Sequence, residues 1–511
     1  MSGARVLPPA ARLGAAFAAA ALRARAEQRV VLVALVERVA AVDPLDALDR
    51  IAREAASDAR LSEQLAAGRV YWTRERDGFA VAGLGAGATF APSGPDRFAS
   101  VDREWSALLA GATIVDDDAG ATAVPVAEAG RGPILFGGFS FDPAGPRTEA
   151  WEGFPSAHLI VPRVQLAKVN GACWLTLTAL VDADGGPDVA PGELAALGQA
   201  LCSPTPARDP AATMPLGDDP IEYAEPIDAA EWRALVGTAV AAIRAGSLHK
   251  VVLAREVRAT APRELDVFGV LRHLRAAQPD CFVFGYWRGE RAFVGASPER
   301  LARLEGREVR ASSLAGSAKR GATPAEDAAL ATALMASAKD RAEHAAVRDA
   351  LREWLAELCV DVEAPDAPSL LTVRHVHHLH TAIRATLRRG HSLLDVVARL
   401  HPTPAVGGTP RDEALRFIRR HERLDRGWYA APIGWLGRDG GEFAVGLRSA
   451  VIAGREATLF AGCGIVAASD PALELAESQL KLRPIQAALA AAIADAPAAS
   501  ACAAAGAELA P

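Results

Sequence analysis

Strand-like segments occur in consecutive groups along this chain, with helical segments grouped between them. Two such groups lie at residues 134–141, 158–166 and 173–181 and at residues 429–436, 442–451 and 457–466. Grouped strands and helices are typical of α+β folds, whereas strict alternation would indicate a parallel sheet covered by helices. The sequence therefore predicts an α+β fold with large antiparallel β-sheets.

A proline-rich segment at residues 202–220 divides the chain into two unequal parts. It contains five prolines and no apolar periodicity, which is typical of a linker or a long loop. We expect the alanine-rich C-terminal end to be disordered. The expected regions are an N-terminal region at 1–201 that contributes strands and helices, a region at 221–490 that carries the functional motifs, and a tail at 491–511.

Composition and charge exclude several classes of protein. The formal net charge is −7 and no block of five or more Lys or Arg residues occurs, so we expect no nucleic-acid partner. The six cysteines are scattered without a C-x-x-C pair, which argues against a disulfide framework or a zinc site and favours a cytoplasmic location. No run of eighteen apolar residues is present, so we expect no membrane-spanning helix.

Lysine is rare in a chain that otherwise uses arginine. Of 55 basic residues, five are lysine: Lys168, Lys250, Lys319, Lys339 and Lys481. A guanidinium group does not release its proton in a protein, whereas an ammonium group can. Lysines retained against this bias are therefore candidates for chemistry, although Lys168, in a strand-like stretch, is expected to be incidental.

The last helix places charged residues on one face. Asp470 is a suitable N-cap with Pro471 at the favoured first helical position, so we expect the helix to begin there. Glu474, Glu477 and Lys481 are spaced three and four residues apart and share a face. The preceding segment, FAGCGIV at 460–466, has glycines at alternate positions that allow a ligand close to the backbone. Taken alone, the charged stripe is more often a solvated surface than a site.

Three further segments carry candidate residues. A long helical region is expected at 323–358, and its SAKDRAEH segment contains Glu343; glutamates from separate helices suit Mg²⁺. Lys250 lies among apolar residues in HKVVLAR, where desolvation favours the neutral amine that a general base requires. Glu299 follows a Ser-Pro turn in GASPER and could act as a general acid if buried. As isolated residues, Lys250 and Glu299 would more often be surface groups.

A histidine cluster lies in the second half of the chain. Its members are His375, His377, His378 and His380. Their spacing is that of a strand, so neighbouring side chains face opposite ways, which argues against a shared metal. We interpret the cluster as mostly structural, with one histidine directed into the site.

Together these segments resemble the chorismate-utilising enzymes, a family that includes isochorismate synthases, salicylate synthases and the large subunits of anthranilate and aminodeoxychorismate synthases. The resemblance covers residues 221–490 and, more weakly, FGGFSFD at 136–142 and VPR at 161–163. The matching segments occur in one order: KVVLAR, GASPE, LAGSAKRG, SAKDRAEH, HPTPAVGG, GWYAAPIGW, FAVGLRSA, FAGCGIV and E-x-x-E-x-x-x-K. The resemblance implies two large antiparallel β-sheets packed face to face, with helices on the outside.

The resemblance also implies a role for each candidate residue. Lys250 would be the base that activates water, and Glu299 the acid that protonates the departing 4-hydroxyl. Glu343 and Glu477, with Glu474 beside them, would bind Mg²⁺, which holds the ring carboxylate of the substrate chorismate. The implied substrate-binding positions are Gly316, His378, Ala405, Arg448, Gly462 and Lys481.

The resemblance further separates the members of the family. Ammonia-using members resemble one another in having glutamine where Lys250 stands, so lysine implies water addition at C2 and no glutamine amidotransferase subunit. Ala315 replaces the nucleophilic lysine of aminodeoxychorismate synthases, and Ala405 and Val406 in HPTPAVGG favour isochorismate synthase over salicylate synthase. The long N-terminal region favours menaquinone biosynthesis over a siderophore pathway. Salicylate synthase, a siderophore-pathway isochorismate synthase and an inactive scaffold of the same fold remain the alternatives.

Overall fold

A computed structural model of the chain describes residues 8–116, 130–204, 221–372 and 376–494. The helices within these ranges are α1 (Pro9–Glu27), α2 (Pro44–Glu54), α3 (Ala59–Ala67), α4 (Arg97–Ala110), α5 (Pro191–Cys202), α6 (Ala229–Arg244), α7 (Val267–Ala277), α8 (Pro324–Ala336), α9 (Ala338–Leu358), α10 (Leu393–Leu400), α11 (Arg411–His421) and α12 (Pro471–Ala494). Short 3-10 turns lie at Glu75–Asp77 and Glu149–Trp151.

The strands fall in consecutive groups, as predicted. They are β1 (Val31–Val39), β2 (Arg69–Arg74), β3 (Phe79–Phe90), β4 (Thr113–Asp116), β5 (Leu135–Phe139), β6 (Ala157–Val169), β7 (Ala172–Val181), β8 (Glu222–Ala224), β9 (Lys250–Thr260), β10 (Phe282–Arg288), β11 (Arg291–Ser297), β12 (Arg300–Glu305), β13 (Glu308–Lys319), β14 (Cys359–Glu363), β15 (Ser369–Thr372), β16 (Val376–Leu387), β17 (Gly408–Thr409), β18 (Pro432–Leu436), β19 (Gly440–Val445), β20 (Ser449–Ala453) and β21 (Glu456–Ile465).

Hydrogen bonding joins these strands into two long runs that share β6. One run has the order β4–β1–β7–β6–β3–β2–β10–β11–β20–β21–β9. The other has the order β6–β5–β18–β19–β12–β13–β16. Pairing between the named strands of the described ranges is antiparallel apart from the parallel β1–β4 pair. The prediction of an α+β fold with large antiparallel sheets is therefore confirmed.

Alternation along the strands divides the apolar core into two clusters. In β1, Leu32 and Ala34 belong to one cluster, whereas Val31 and Val33 belong to the other, because successive strand residues point to opposite faces. The first cluster lies between the two runs of strands and joins side chains such as Trp72, Phe136 and Phe443. The second joins the outer strand face to helices, through side chains such as Leu13, Leu271 and Leu482.

The two parts of the chain on either side of the proline-rich segment contribute to both runs of strands. β2 pairs with β10 and β5 pairs with β18, so each run passes once from strands of the N-terminal part to strands of the C-terminal part. α5 extends to Cys202, at the start of the expected linker, and residues 205–220 lie outside the described ranges. α12 extends to Ala494, so the first residues of the expected tail at 491–511 are helical, and residues 495–511 lie outside the described ranges.

The structure corrects one predicted helix and matches another. The region expected to be one helix at 323–358 is two helices, because Ser337 ends α8 and caps α9, its hydroxyl accepting from the backbone N–H of Asp340 at 3.2 Å. The last helix begins at Pro471 as predicted, with Asp470 accepting hydrogen bonds from the two backbone N–H groups that follow it. None of the helices in the described ranges is long and apolar enough to span a membrane.

Candidate active site

One cavity of about 280 Å³ brings all of the predicted site residues together. Its walls are formed by β9, β13 and β21, by the helices α9 and α12, and by the loops around residues 298, 405 and 448. The predicted residues that line it are Lys250, Glu299, Gly316, Glu343, His378, Ala405, Arg448, Gly462, Glu474, Glu477 and Lys481. The antiparallel sheet thus brings residues that are more than 200 positions apart in the sequence into one cavity.

Lys250 is the first residue of β9 and pairs with a carboxylate from α9. Its Nζ donates to Glu343 Oε1 at 2.6 Å, and the two side chains are 10% and 20% exposed. Gly464 on the neighbouring strand β21 makes room for this lysine, because a Cβ there would lie 2.7 Å from Lys250 Cε. The alternate glycines of β21 were expected to admit a ligand; Gly464 instead accommodates the lysine side chain.

The first turns of α12 carry the charged stripe along one wall. Lys481 Nζ donates to Glu477 Oε1 at 2.7 Å and to the carbonyl oxygen of Gly462 at 2.9 Å. Leu475 and Leu482, on another face of the helix, are buried. The spacing of three and four residues therefore directs the charged groups into the cavity, and the solvated-surface alternative does not apply to this helix.

The carboxylates on α12 differ in their tendency to hold a proton. The nearby ammonium of Lys481 lowers the pKa of Glu477. Burial raises the pKa of Glu474, and the negative charge of Glu477 adds to this effect. A second cation beside Glu474 would offset this crowding of negative charge, and carboxylate oxygens are the ligands that Mg²⁺ prefers. Within the described ranges, no three His, Cys, Asp or Glu side chains converge closely enough to hold a metal ion. The fit of the three glutamates to Mg²⁺ rests on their donor type and on their lining one cavity.

Glu299 lies in the turn between β11 and β12 and is 5% exposed. Its carbonyl oxygen accepts from Val445 N, and its N–H donates to the hydroxyl of Ser297, so the backbone is fixed on both sides. Burial raises the pKa of Glu299 from 4.5 to about 7, although the charges of Lys250 and Lys481 oppose the shift. A carboxyl group with such a pKa can hold and deliver a proton near neutrality.

A β-bulge in β13 shapes another wall. The register between β13 and β16 shifts at Gly316, whose φ of +76° favours glycine. Beyond the bulge, the Ser317 hydroxyl lies 2.7 Å from His378 Nδ1. Burial lowers the pKa of His378 to about 3, so its imidazole is neutral, and its Nε2 is buried without a protein partner.

The other predicted histidines are placed as a strand requires. His377 faces away from His378 and contacts Asp327, with Nε2 and Oδ1 2.9 Å apart. His380 lies near Ser369, and His375 lies outside the described residues. His378 is therefore the member of the cluster that lines the cavity.

Comparison with known proteins relates this arrangement to one family. Residues 17–490 match the family model described as chorismate binding enzyme. The chain belongs to the chorismate-binding enzyme family. The salicylate biosynthesis isochorismate synthase of Pseudomonas aeruginosa is 40% identical over 429 residues, which are 83% of this chain and 85% of that protein. The isochorismate synthase MenF of Bacillus subtilis is 35% identical over 424 residues, 82% of this chain and 88% of its own length.

A solved structure is similar over nearly the whole fold. MenF, the menaquinone-specific isochorismate synthase of Escherichia coli, superposes with a TM-score of 0.70 at 26% identity, covering 93% of this chain and 99% of that one. This chorismate-binding enzyme therefore shares the mixed helix and sheet architecture of that protein over nearly the whole of both chains.

Sequence reasoning did not assign a role to several residues that the cavity of this chorismate-binding enzyme contains. Tyr429 is buried, and its hydroxyl lies 3.1 Å from where a Cβ on Gly462 would be. Burial also raises the pKa of Tyr429, which keeps the phenol protonated as a hydrogen-bond donor. Arg426 lines the cavity as well, paired with Glu422. The sequence contained a signal for each of them. Tyr429 lies in the GWYAAPIGW segment, and Glu422 and Arg426 are four residues apart.

Proposed function

We propose that this chain is an isochorismate synthase, which converts chorismate into isochorismate. The observation that carries the proposal is the presence of an amine, Lys250, and a buried carboxyl group, Glu299, in one cavity lined by carboxylate-binding groups. Two relatives that each match more than four fifths of the chain, from P. aeruginosa and B. subtilis, are named isochorismate synthases and support the same reaction.

The reaction exchanges one hydroxyl position for another and needs a base and an acid. Lys250 takes a proton from water as the water oxygen bonds to C2 of the ring. The ring double bond shifts, the C4–O bond breaks, and Glu299 gives its proton to the departing hydroxyl, which leaves as water. The pKa of Glu299, raised by burial to about 7, supports the acid role because about half of the groups hold their proton at pH 7.

The remaining groups are proposed to bind the substrate. Chorismate has two carboxylates, and Arg448 and Lys481 offer cationic donors to them, with the backbone of Gly462 beside Lys481. His378, neutral and with an unpartnered Nε2, offers a hydrogen bond to a substrate oxygen. Gly316 and Ala405 have little or no side chain, which leaves space for the ring.

We propose that Mg²⁺ is the cofactor and that Glu343, Glu474 and Glu477 hold it. The ion supplies positive charge that neutralises a substrate carboxylate when both are bound. Lys250 is paired with Glu343, and Lys481 with Glu477. If Glu343 holds the ion, the amine of Lys250 would be available to water.

The test of this function is the identity of the product. Purified protein is incubated with chorismate and Mg²⁺ at neutral pH, and the products are separated by liquid chromatography. Isochorismate with little pyruvate is the expected result. Stoichiometric release of pyruvate during turnover would instead identify a salicylate synthase, the second candidate. No conversion at all by a correctly folded protein would identify an inactive scaffold.

For the pathway, we propose menaquinone biosynthesis, supported by the full-length similarity to the menaquinone-specific enzyme of E. coli. The P. aeruginosa relative is named for salicylate biosynthesis, and the reaction is common to both pathways. Deletion of the gene from its own organism should lower menaquinone, whereas unchanged menaquinone with loss of a siderophore would contradict this pathway. Because water is the nucleophile, we also propose that the enzyme needs no glutamine amidotransferase subunit.

A further inference from the structure

The strand that begins with Lys250 has an unpaired stretch on one edge beside the cavity. β21 pairs with the full length of β9 from Val251 to Thr260 on one side. On the other side, β17 pairs only with the first two residues of β9 and β8 only with its last three. The N–H of Val252 donates to the carbonyl oxygen of Gly407, directly before β17, but among the strands of the described ranges none pairs with this second edge at the Val252 carbonyl or at Ala254. Buried backbone groups left there without partners would be costly.

A buried ion pair takes the place of the missing strand. Glu422 and Arg426 have side chains 0% and 3% exposed and are joined by two hydrogen bonds of 2.6 and 2.7 Å. The Glu422 carboxylate accepts from the N–H of Ala254 at 2.8 Å, and the Arg426 guanidinium donates to the carbonyl of Val252 at 2.8 Å. The pair thus offers β9 one acceptor and one donor, as a neighbouring strand would.

The same guanidinium also holds the facing wall of the cavity. Arg426 Nη1 donates to the carbonyl oxygen of Val406 at 2.9 Å. Val406 and Ala405 both line the cavity, in the loop that precedes β17. The ring of Phe141, from the N-terminal part of the chain, lies 4.3 Å beneath the guanidinium and keeps its plane in place. One side chain therefore connects the strand that carries Lys250 to the wall that faces the substrate ring.

We propose that the Glu422–Arg426 pair is a positioning element for water addition, which fixes the separation between Lys250 and the Ala405–Val406 wall. This inference rests on the proposed isochorismate synthase function. Arg426 acts through the backbone: its bonds go to Glu422, Val252 and Val406, and it is not a catalytic residue. Displacement of reacting groups by about 1 Å can cost about 10²-fold in rate, so the pair is expected to matter for turnover.

We expect the Glu422–Arg426 pair to fix the geometry of the cavity and to add little to the free energy of unfolding. Burial of two charges costs solvation energy that roughly cancels their attraction, so buried ion pairs contribute little net stability. Arginine is required because its planar guanidinium binds a carboxylate and two carbonyl oxygens at once, whereas the single ammonium of lysine cannot span all three.

The experiment compares Arg426→Lys with a matched control, Arg50→Lys. Arg50 is also buried, pairs with the carboxylate of Glu54 at 2.9 Å and donates to the backbone carbonyl of Ala200, but does not line the cavity. For Arg426→Lys we expect kcat per folded molecule to fall by about 10- to 100-fold with KM changed by less than about twofold. For Arg50→Lys we expect a comparable loss of thermal stability with wild-type kcat.

Each outcome decides the proposal. Wild-type kcat in a folded Arg426→Lys variant, or a loss equal to that of the control, would overturn it. If Arg426→Lys does not fold, Glu422→Gln is measured instead; it keeps an acceptor for Ala254 but weakens the hold on the guanidinium, and a fall in kcat of about threefold or more is expected. A wild-type chain that does not act on chorismate overturns the proposed function as well, whereas an active wild type with unaffected variants overturns this inference alone.

Discussion

Lys250 Nζ and Glu343 Oε1 lie 2.6 Å apart, joining the first residue of β9 to the second turn of α9 across 93 positions of sequence. The contact places the proposed base of the reaction against a proposed ligand of Mg²⁺. It also explains how a lysine is kept in a largely buried site, because its charge is balanced by the Glu343 carboxylate. The pair thus links two functions that sequence reasoning had assigned to separate motifs.

Replacement of Lys250 by arginine tests the proton-transfer role directly. Arginine keeps the positive charge beside Glu343 but cannot release its proton. We expect turnover by Lys250→Arg to fall by about 10²–10⁴-fold, the usual contribution of a general base. The measurement is the steady-state rate with chorismate, with folding checked by circular dichroism. Lys168→Arg on β6, which does not line the cavity, should behave as wild type. Water addition by Lys250→Arg near the wild-type rate would make Lys250 an electrostatic residue.

The pKa of Glu299 predicts the pH dependence of turnover. A group that must be protonated to act as an acid, with a pKa raised by burial to about 7, loses activity as the pH rises through that value. We expect kcat/KM, which reports the free enzyme, to decline above about pH 7, and Glu299→Gln to lose about 10²–10⁴-fold in kcat while it binds chorismate normally. A loss below tenfold with an unchanged pH profile would assign the acid role elsewhere.

The same carboxyl group should also affect stability. In the unfolded chain it titrates near 4.5 and in the folded chain near 7, so the folded state binds the proton more tightly. Its contribution is therefore fully present below about pH 4.5 and is lost as the pH rises through about 7. We expect Glu299→Gln to gain about 3 kcal/mol relative to wild type between pH 4.5 and pH 8, measured by urea unfolding. If the difference in unfolding free energy between the two proteins does not change with pH, the carboxylate lies in a better-solvated site.

Removal of the metal should abolish turnover. EDTA is expected to inactivate the enzyme and excess Mg²⁺ to restore it, whereas full activity in metal-free buffer would contradict the assignment. Glu477→Gln should raise the Mg²⁺ concentration needed for half-maximal activity by at least about tenfold, because one ligand charge is lost. Its side chain is 41% exposed, so the fold should be unaffected. Glu456→Gln, an exposed carboxyl at the other end of β21, serves as the control.

Local patterns were sufficient to predict much of the site. The spacing of Glu474, Glu477 and Lys481 determines which helix face they share, so their common direction follows from helix geometry alone. The turn at Glu299 and the strand beginning at Lys250 were also predictable locally. Their convergence in one cavity depends on pairings between distant strands, and the resemblance to a family, rather than periodicity, supplied that step.

The parts that sequence reasoning missed depend on long-range contacts. Glu422 and Arg426 bind backbone groups of Val252, Ala254 and Val406, and nothing in their own segment identifies those partners. The break between α8 and α9 at Ser337 was missed because a single capping serine is a weak signal inside an otherwise helical composition. The role of Gly464 likewise required the neighbouring strand to be known.

The central claim, that water is the nucleophile and adds to the ring while the 4-hydroxyl leaves, is tested most directly by isotope labelling. The wild-type enzyme is incubated with chorismate and Mg²⁺ in ¹⁸O-water, and the product formed early in the reaction is analysed by mass spectrometry. The account predicts isochorismate that carries one ¹⁸O atom, located at C2. Isochorismate without the label, or a product other than isochorismate, would contradict it.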